Sequence, residues 1–198
     1  MDVRRCCVSP VNEGPLLQLP DNLPVPEDDG ACRHLVGQRL PDVSLLATSG
    51  ASINLSQRHG LTVLYAYPLT GRPGMALPPT WLTIPGAPGC TLESCGFRDH
   101  HSEIRRLGAE IFGLSTQSTD FQREARERLH LTFDLLSDES LAFTDALSLP
   151  TFTPDSARLL KRLTLICRSG SIEHVFYPVF PPDTHSADVI SYLINRNA

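Results

Sequence analysis

Lysine is almost missing from this 198-residue chain: Lys161 is the sole representative among 17 lysines and arginines. Set against 22 acidic residues, these leave a net charge of −5, with no basic block anywhere in the sequence. Gripping nucleic-acid phosphates or an anionic lipid surface needs such a block, so no nucleic-acid or membrane partner is expected. Long apolar runs are missing too, which argues against a bilayer-spanning helix. The opening residues Met1-Asp2-Val3-Arg4-Arg5-Cys6-Cys7 lack the apolar core of a secretion signal, and a cytoplasmic location is expected. No Cys-x-x-Cys pair occurs. The six cysteines (Cys6, Cys7, Cys32, Cys90, Cys95 and Cys167) are irregularly spaced in a chain too long to need a disulfide scaffold. A zinc ribbon and a thioredoxin-type dithiol are thereby disfavoured, and neither metal nor cofactor is expected.

What the chain does contain reads as one α/β domain behind an irregular arm. The stretch over residues 8–30 is rich in Pro, Asn, Asp and Glu, and residues 1–38 are expected to lie across the domain without regular structure. The domain is expected over residues 39–198. It opens with a hairpin over 43–55, followed by a buried strand, Leu61-Thr62-Val63-Leu64-Tyr65-Ala66, that ends at Tyr67-Pro68. Residues 69–87 carry several prolines and glycines and the only tryptophan, Trp81. A loop of this length is either a packed flap anchored by Trp81 or a lid.

A helix is predicted over 90–108, then a strand over 109–114 and a helix over 121–129 behind N-cap residues. A strand over 131–136, a short helix over 140–147, a hairpin with arms 159–167 and 171–177, and a helix over 187–194 complete the order. The alternation implies a mixed central sheet flanked by helices. His100-His101, adjacent on a helix and so about 100° apart, reads as a solvated face and not as a metal site.

The chemistry concentrates in Pro88-Gly89-Cys90-Thr91-Leu92-Glu93-Ser94-Cys95-Gly96-Phe97-Arg98-Asp99. Cys90 falls at the first turn of the predicted helix, among unpaired N–H groups and the positive end of the dipole, which favour thiolate. These residues, with the strand ending Tyr67-Pro68, Gly113-Leu114-Ser115-Thr116, Leu135-Leu136-Ser137-Asp138 and a weaker block over 170–176, carry a family likeness. From Leu40 to the last helix the chain resembles the Q-type (bacterioferritin-comigratory) peroxiredoxins of the thioredoxin-like superfamily.

The resemblance implies a thioredoxin fold and thiol-dependent reduction of hydrogen peroxide and organic hydroperoxides. It makes Cys90 the peroxidatic cysteine and Cys95 the resolving one, joined in an intramolecular disulfide that thioredoxin or a glutaredoxin-like reductant recycles. It favours a monomer or weak dimer. The family's arginine falls on Arg162 through a one-residue shift, with Lys161 as the gap-free alternative; a guanidinium fork suits two oxygens better than a point charge. Pro68 and Tyr67 are expected at the substrate pocket. The family threonine is replaced by Ala87, so Thr70 is expected to fold back with its hydroxyl, and Thr91 is a weaker substitute.

Five helical residues put Cys90 and Cys95 about 7.5 Å apart along the axis. Bridged cysteines rarely tolerate Cα separations above about 7 Å, so the helix must unwind, and Gly96 is expected to ease that step. Two other functions remain open: an oxidoreductase acting on protein disulfides, and a redox-sensing or binding module with little turnover.

Overall fold

The computed structural model describes residues 19–196. The centre of the molecule is β3 (Leu61–Ala66), whose six residues are all buried. It pairs in parallel with β4 (Ala109–Ser115) and antiparallel with β8 (Leu163–Arg168). Outward from β4 come β5 (Asp134–Ser137), β1 (Ser44–Ala47) and β2 (Ser52–Asn54). On the other side β9 (Ser171–Phe176) closes the seven-stranded sheet, whose order is β2-β1-β5-β4-β3-β8-β9. The sheet is mixed and flanked by helices.

Strand side chains alternate in direction, and β3 divides the interior accordingly. Leu61, Val63 and Tyr65 face a core shared with α1 (Cys90–Asp99), α2 (His101–Arg106) and α5 (His185–Asn195). Leu64 and Ala66 face a second core with Phe143 of α4 (Ala142–Ala146) and Leu35 of the arm. The remaining helix, α3 (Thr119–Arg128), packs on β5 and begins at Ser118, whose hydroxyl accepts from the Phe121 N–H. Among the described residues no helix is long and apolar enough to cross a membrane.

Four predicted elements are redrawn. The helix over 90–108 breaks at His100, where φ −96° and ψ 3° separate α1 from α2. The His100 ring bonds Ser186 Oγ of α5 at 2.9 Å, which fixes the break against the neighbouring helix. The strand over 131–136 shortens to β5, while Leu131 and Phe133 stay buried without pairing. The helix over 140–147 shrinks to α4, positioned by the buried Asp138 carboxylate, which accepts from the Phe143 and Thr144 N–H groups at 3.0 and 2.8 Å. The arm 159–167 splits at Lys161-Arg162. Its first part, β7 (Leu159–Leu160), forms a separate ribbon with β6 (Thr151–Phe152), and its second part is β8.

Residues 37–40 run beside β9. The Gly37 N–H donates to Ile172 O and the Leu40 N–H to Gly170 O at 2.9 and 2.8 Å, covering the outer edge of β9. Covering an edge removes unpaired backbone groups that would otherwise template aggregation. The first eighteen residues, with Cys6 and Cys7, fall outside the described segment.

Gly89 fixes how the loop enters α1. It sits at φ +102°, and a Cβ there would lie 2.3 Å from Pro182 Cγ. Gly89→Ala is therefore expected to lose about 2 kcal/mol or more of unfolding free energy. Gly37, at φ +87° with open space around it, is the control and should lose only about 1 kcal/mol on the same change. Urea unfolding of both variants checks the difference; equal losses would show that the Pro182 contact is unimportant.

Candidate active site

The site forms where β3 runs out. The Tyr67 N–H still donates to Leu114 O at 3.0 Å, and Ser115 Oγ holds the Pro68 carbonyl at 3.1 Å. From there the chain leaves the sheet. Thr70 is clamped at once: its N–H and hydroxyl both donate to Gln117 Oε1, at 2.9 and 3.1 Å, and Gln117 Nε2 donates back to Thr70 O. The expectation that Thr70 supplies a hydroxyl to the thiol is thus not met, because its proton is committed to Gln117. The long loop then makes a 3-10 turn over Trp81–Thr83, with Trp81 buried near the Phe152 ring, and returns through the buried Ala87 to Cys90.

Cys90 is the first residue of α1 and is buried. Its Sγ lies 3.2 Å from Arg162 Nη2 and 3.5 Å from Ala87 O, and the Leu69 N–H favours its anion. Arg162 occupies the break between β7 and β8. Successive side chains of an extended segment point opposite ways. Here Arg162 turns inward while Lys161 turns outward to Asp29 Oδ2 at 2.7 Å. Of the two basic candidates, Arg162 reaches the thiol and Lys161 does not.

The guanidinium is heavily shared. Nη2 also donates to the Ala87 and Pro88 carbonyls at 3.2 and 3.1 Å, and Nη1 bonds the buried Glu93 carboxylate. Glu93 was not singled out from the sequence. One helical turn separates it from Cys90, a spacing that puts both side chains on one face. His185 was also missed. It lies behind the site, with Nε2 2.8 Å from Thr164 Oγ1 and its ring edge-on to Phe97. Burial, and then the Arg162 charge, push its pKa down to about 3, so the imidazole is neutral.

Electrostatically, three groups compete. Burial pushes the Cys90 thiol above its ordinary value, against the pull of Arg162 and the Leu69 N–H, and Glu93 adds to the rise. The expected helix-terminal depression is outweighed in this closed state, since desolvation disfavours any buried anion. Burial likewise raises the Glu93 carboxyl from 4.5 to about 7 despite Arg162. One cation thus serves two potential anions.

The two tyrosines form the floor. Tyr65 stacks on Tyr67 and Phe97, with ring centroids 5.6 and 4.5 Å away, and its hydroxyl donates to Ser94 Oγ at 3.1 Å. Gly113 makes the space: a Cβ there would lie 2.9 Å from the Tyr65 hydroxyl. Tyr67 is wholly buried in the same core as Cys90. Thr91 is buried on α1.

Cys95 is half-buried further along the same unbroken helix, packed against the first core, and neither it nor Cys90 is in a disulfide. Gly96 lies where α1 meets α5. A Cβ there would lie 2.9 Å from Ser186 Oγ, so the glycine lets α5 approach α1 closely. Cys32 and Cys167 are buried thiols, each pushed up to about 12, mainly by burial. Among the described residues no cluster suits a metal ion.

The Redoxin family model matches residues 35–191. Peroxiredoxin Bcp of Escherichia coli K12 is 30% identical over 162 residues, covering 79% of this chain and 94% of its own. The chain belongs to the peroxiredoxins. A second member, the chloroplastic peroxiredoxin Q of Oryza sativa subsp. japonica, is 26% identical over 159 residues and 79% of this chain. The aligned part spans 65% of that relative's length. The peroxidoxin BcpB crystal structure from Mycobacterium tuberculosis superposes with a TM-score of 0.66 at 24% identity, over 82% of this chain and 98% of its own. That likeness supports the thioredoxin-like fold.

The competition around Arg162 sets the expected pH behaviour of this peroxiredoxin. Glu93 titrates higher folded than unfolded, so between pH 4.5 and about 7 the native state holds more protons. Stability is then present below that window and falls as pH rises through it. Glu93→Gln should flatten this fall in urea-unfolding profiles. It should also move the Cys90 titration to lower pH, because the whole guanidinium charge becomes available to the thiolate. Alkylation rates followed against pH test this; a Cys90 titration that stays put or rises would refute it.

Proposed function

We propose that this chain is a thiol-dependent peroxidase acting on hydrogen peroxide and organic hydroperoxides, with Cys90 as its peroxidatic and Cys95 as its resolving cysteine. The observation that carries the reading is Cys90 Sγ at the first residue of α1, 3.2 Å from the buried Arg162 guanidinium. It is supported by membership of the family and by a second thiol on the same helix. The reductant is thioredoxin or a glutaredoxin-like dithiol, and the enzyme works in the cytoplasm as a monomer or weak dimer.

The Cys90 thiolate attacks the terminal oxygen of the peroxide. A sulfur–oxygen bond forms as the oxygen–oxygen bond breaks, and the leaving oxygen departs, once protonated, as water or an alcohol. Sulfur is oxidised by two electrons to a sulfenic acid. Arg162 meets the charge that builds on the leaving oxygen from a fixed, buried position, where such stabilisation is strongest. The Cys95 thiolate then attacks Cys90 sulfur, water leaves, and a disulfide remains for the external dithiol to reduce. Because Thr70 is held by Gln117, orientation of the peroxide falls to Arg162 and the Leu69 N–H.

Closing the disulfide requires the first turns of α1 to come apart. The Cys90–Cys95 oxidised protein is therefore expected to exchange amide hydrogens faster over residues 91–98 than the reduced protein; equal exchange in both states would refute the unwinding. In a thioredoxin-coupled peroxide assay, Cys90→Ser should abolish turnover. Cys95→Ser should lose thioredoxin-driven turnover and keep turnover driven by a small thiol. A Cys90→Ser variant that still consumes peroxide would overturn the assignment.

A further inference from the structure

A cleft of about 240 Å³ opens beside the site, with Arg162 among its lining residues. A water's share of liquid volume is about 30 Å³, so the space far exceeds what hydrogen peroxide fills. Apart from Arg162, Lys161 and Glu27 the walls are largely apolar: Ile84 and Pro85 from the long loop, Phe152 from β6, Val179 from the turn after β9, and Pro26 from the N-terminal arm. The arm is the unexpected wall. Residues 26–29 precede the segment 35–191 that matches the Redoxin model.

The arm is held there by Asp29. One carboxylate oxygen bonds Lys161 Nζ at 2.7 Å, and the other accepts from the Tyr177 hydroxyl at 2.8 Å and the Ala31 N–H at 3.1 Å. Lys161 is the residue next to Arg162, and Tyr177 leads into the Pro178-Val179 wall. A single carboxylate thus gathers three of the cleft's sides. Gly86, at φ +75°, runs alongside the arm, where a Cβ would make ordinary contact with Pro26 Cγ at 3.4 Å. The Lys161 and Asp29 side chains are 38% and 44% exposed, and an exposed ion pair adds little to stability. Its consequence lies in where it puts the arm.

We propose that the N-terminal arm is part of the substrate site, with Asp29 the positioning residue that sets Pro26 against the organic group of a hydroperoxide. This rests on the peroxidase reading. The group selected is compact and uncharged. The walls present carbon, Lys161 is already neutralised by Asp29, and Glu27 at the lining repels a carboxylate. Val25 and Phe180, each next in sequence to a lining residue, are exposed apolar side chains.

The test compares kcat/KM for cumene hydroperoxide with kcat/KM for hydrogen peroxide in the full-length protein. Asp29→Ala, which releases the arm, and Ile84→Phe, which fills the cleft, should each lower the ratio of the two by about tenfold, the scale of losing or blocking an apolar subsite. Losses that are equal for both peroxides, or an unchanged ratio, would overturn the proposal. A second measurement needs no turnover. Trp81 is the only tryptophan, and its ring lies 6.3 Å from Phe152 in the cleft wall. Titration with the unreactive alcohol 2-phenyl-2-propanol should change Trp81 fluorescence saturably in the wild type and much more weakly in Asp29→Ala. Binding of the alcohol without peroxide turnover would sink the peroxidase reading and leave the subsite standing. Turnover with neither a fluorescence response nor a shifted ratio would sink the subsite alone.

Discussion

The buried guanidinium of Arg162 is the interaction on which this site depends. A charge removed from water is tolerated only where partners surround it. Arg162 has four: the Cys90 sulfur, the Glu93 carboxylate, and the carbonyls of Ala87 and Pro88. Those partners come from the end of the long loop and from the first turn of α1. The cation therefore fixes the approach to the helix as well as the electrostatics of the thiol. Removing it would strand a buried carboxylate, the arrangement that destabilises folds by several kcal/mol. The arginine fastens the loop and faces the thiol at once.

Much of this was legible in the sequence, and the reasons differ by element. β3 declared itself through an apolar run broken only by Thr62, because a central strand buried on both faces has little polar side to show. Cys90 was legible because a Pro-Gly turn ahead of it and helical spacing behind it place a thiol at a helix start. The split between β7 and β8 was not. Residues 159–167 are as β-prone through Lys161-Arg162 as on either side, and only the inward charge and the separate ribbon reveal the break. Glu93 lay in plain view within the motif but looked like one more charged helix residue. Its burial is decided by Arg162, 69 positions away in sequence.

The two departures from the family pattern have structural answers of different kinds. Where the threonine is missing, Ala87 contributes a carbonyl to Arg162 in place of a hydroxyl to the thiol. Thr70, the expected replacement, instead fastens the start of the long loop to Gln117, just past the end of β4. The loop itself is anchored by Trp81 and turns an apolar wall toward the cleft. The same fold edge thus carries both the lost hydroxyl and the added wall.

The contact between α1 and α5 has a thermodynamic consequence. Gly96 admits Ser186 to the helix surface, and the His100 ring bonds that hydroxyl, so the intact helix of the dithiol form carries a stabilisation that an unwound helix gives up. Whatever favours the reduced form makes the corresponding disulfide a stronger oxidant, by about 30 mV for each 1.4 kcal/mol. For the Cys90–Cys95 disulfide proposed above, the packing of a serine against a glycine thereby bears on the reduction potential, and on how readily the proposed donor dithiol gives up its electrons.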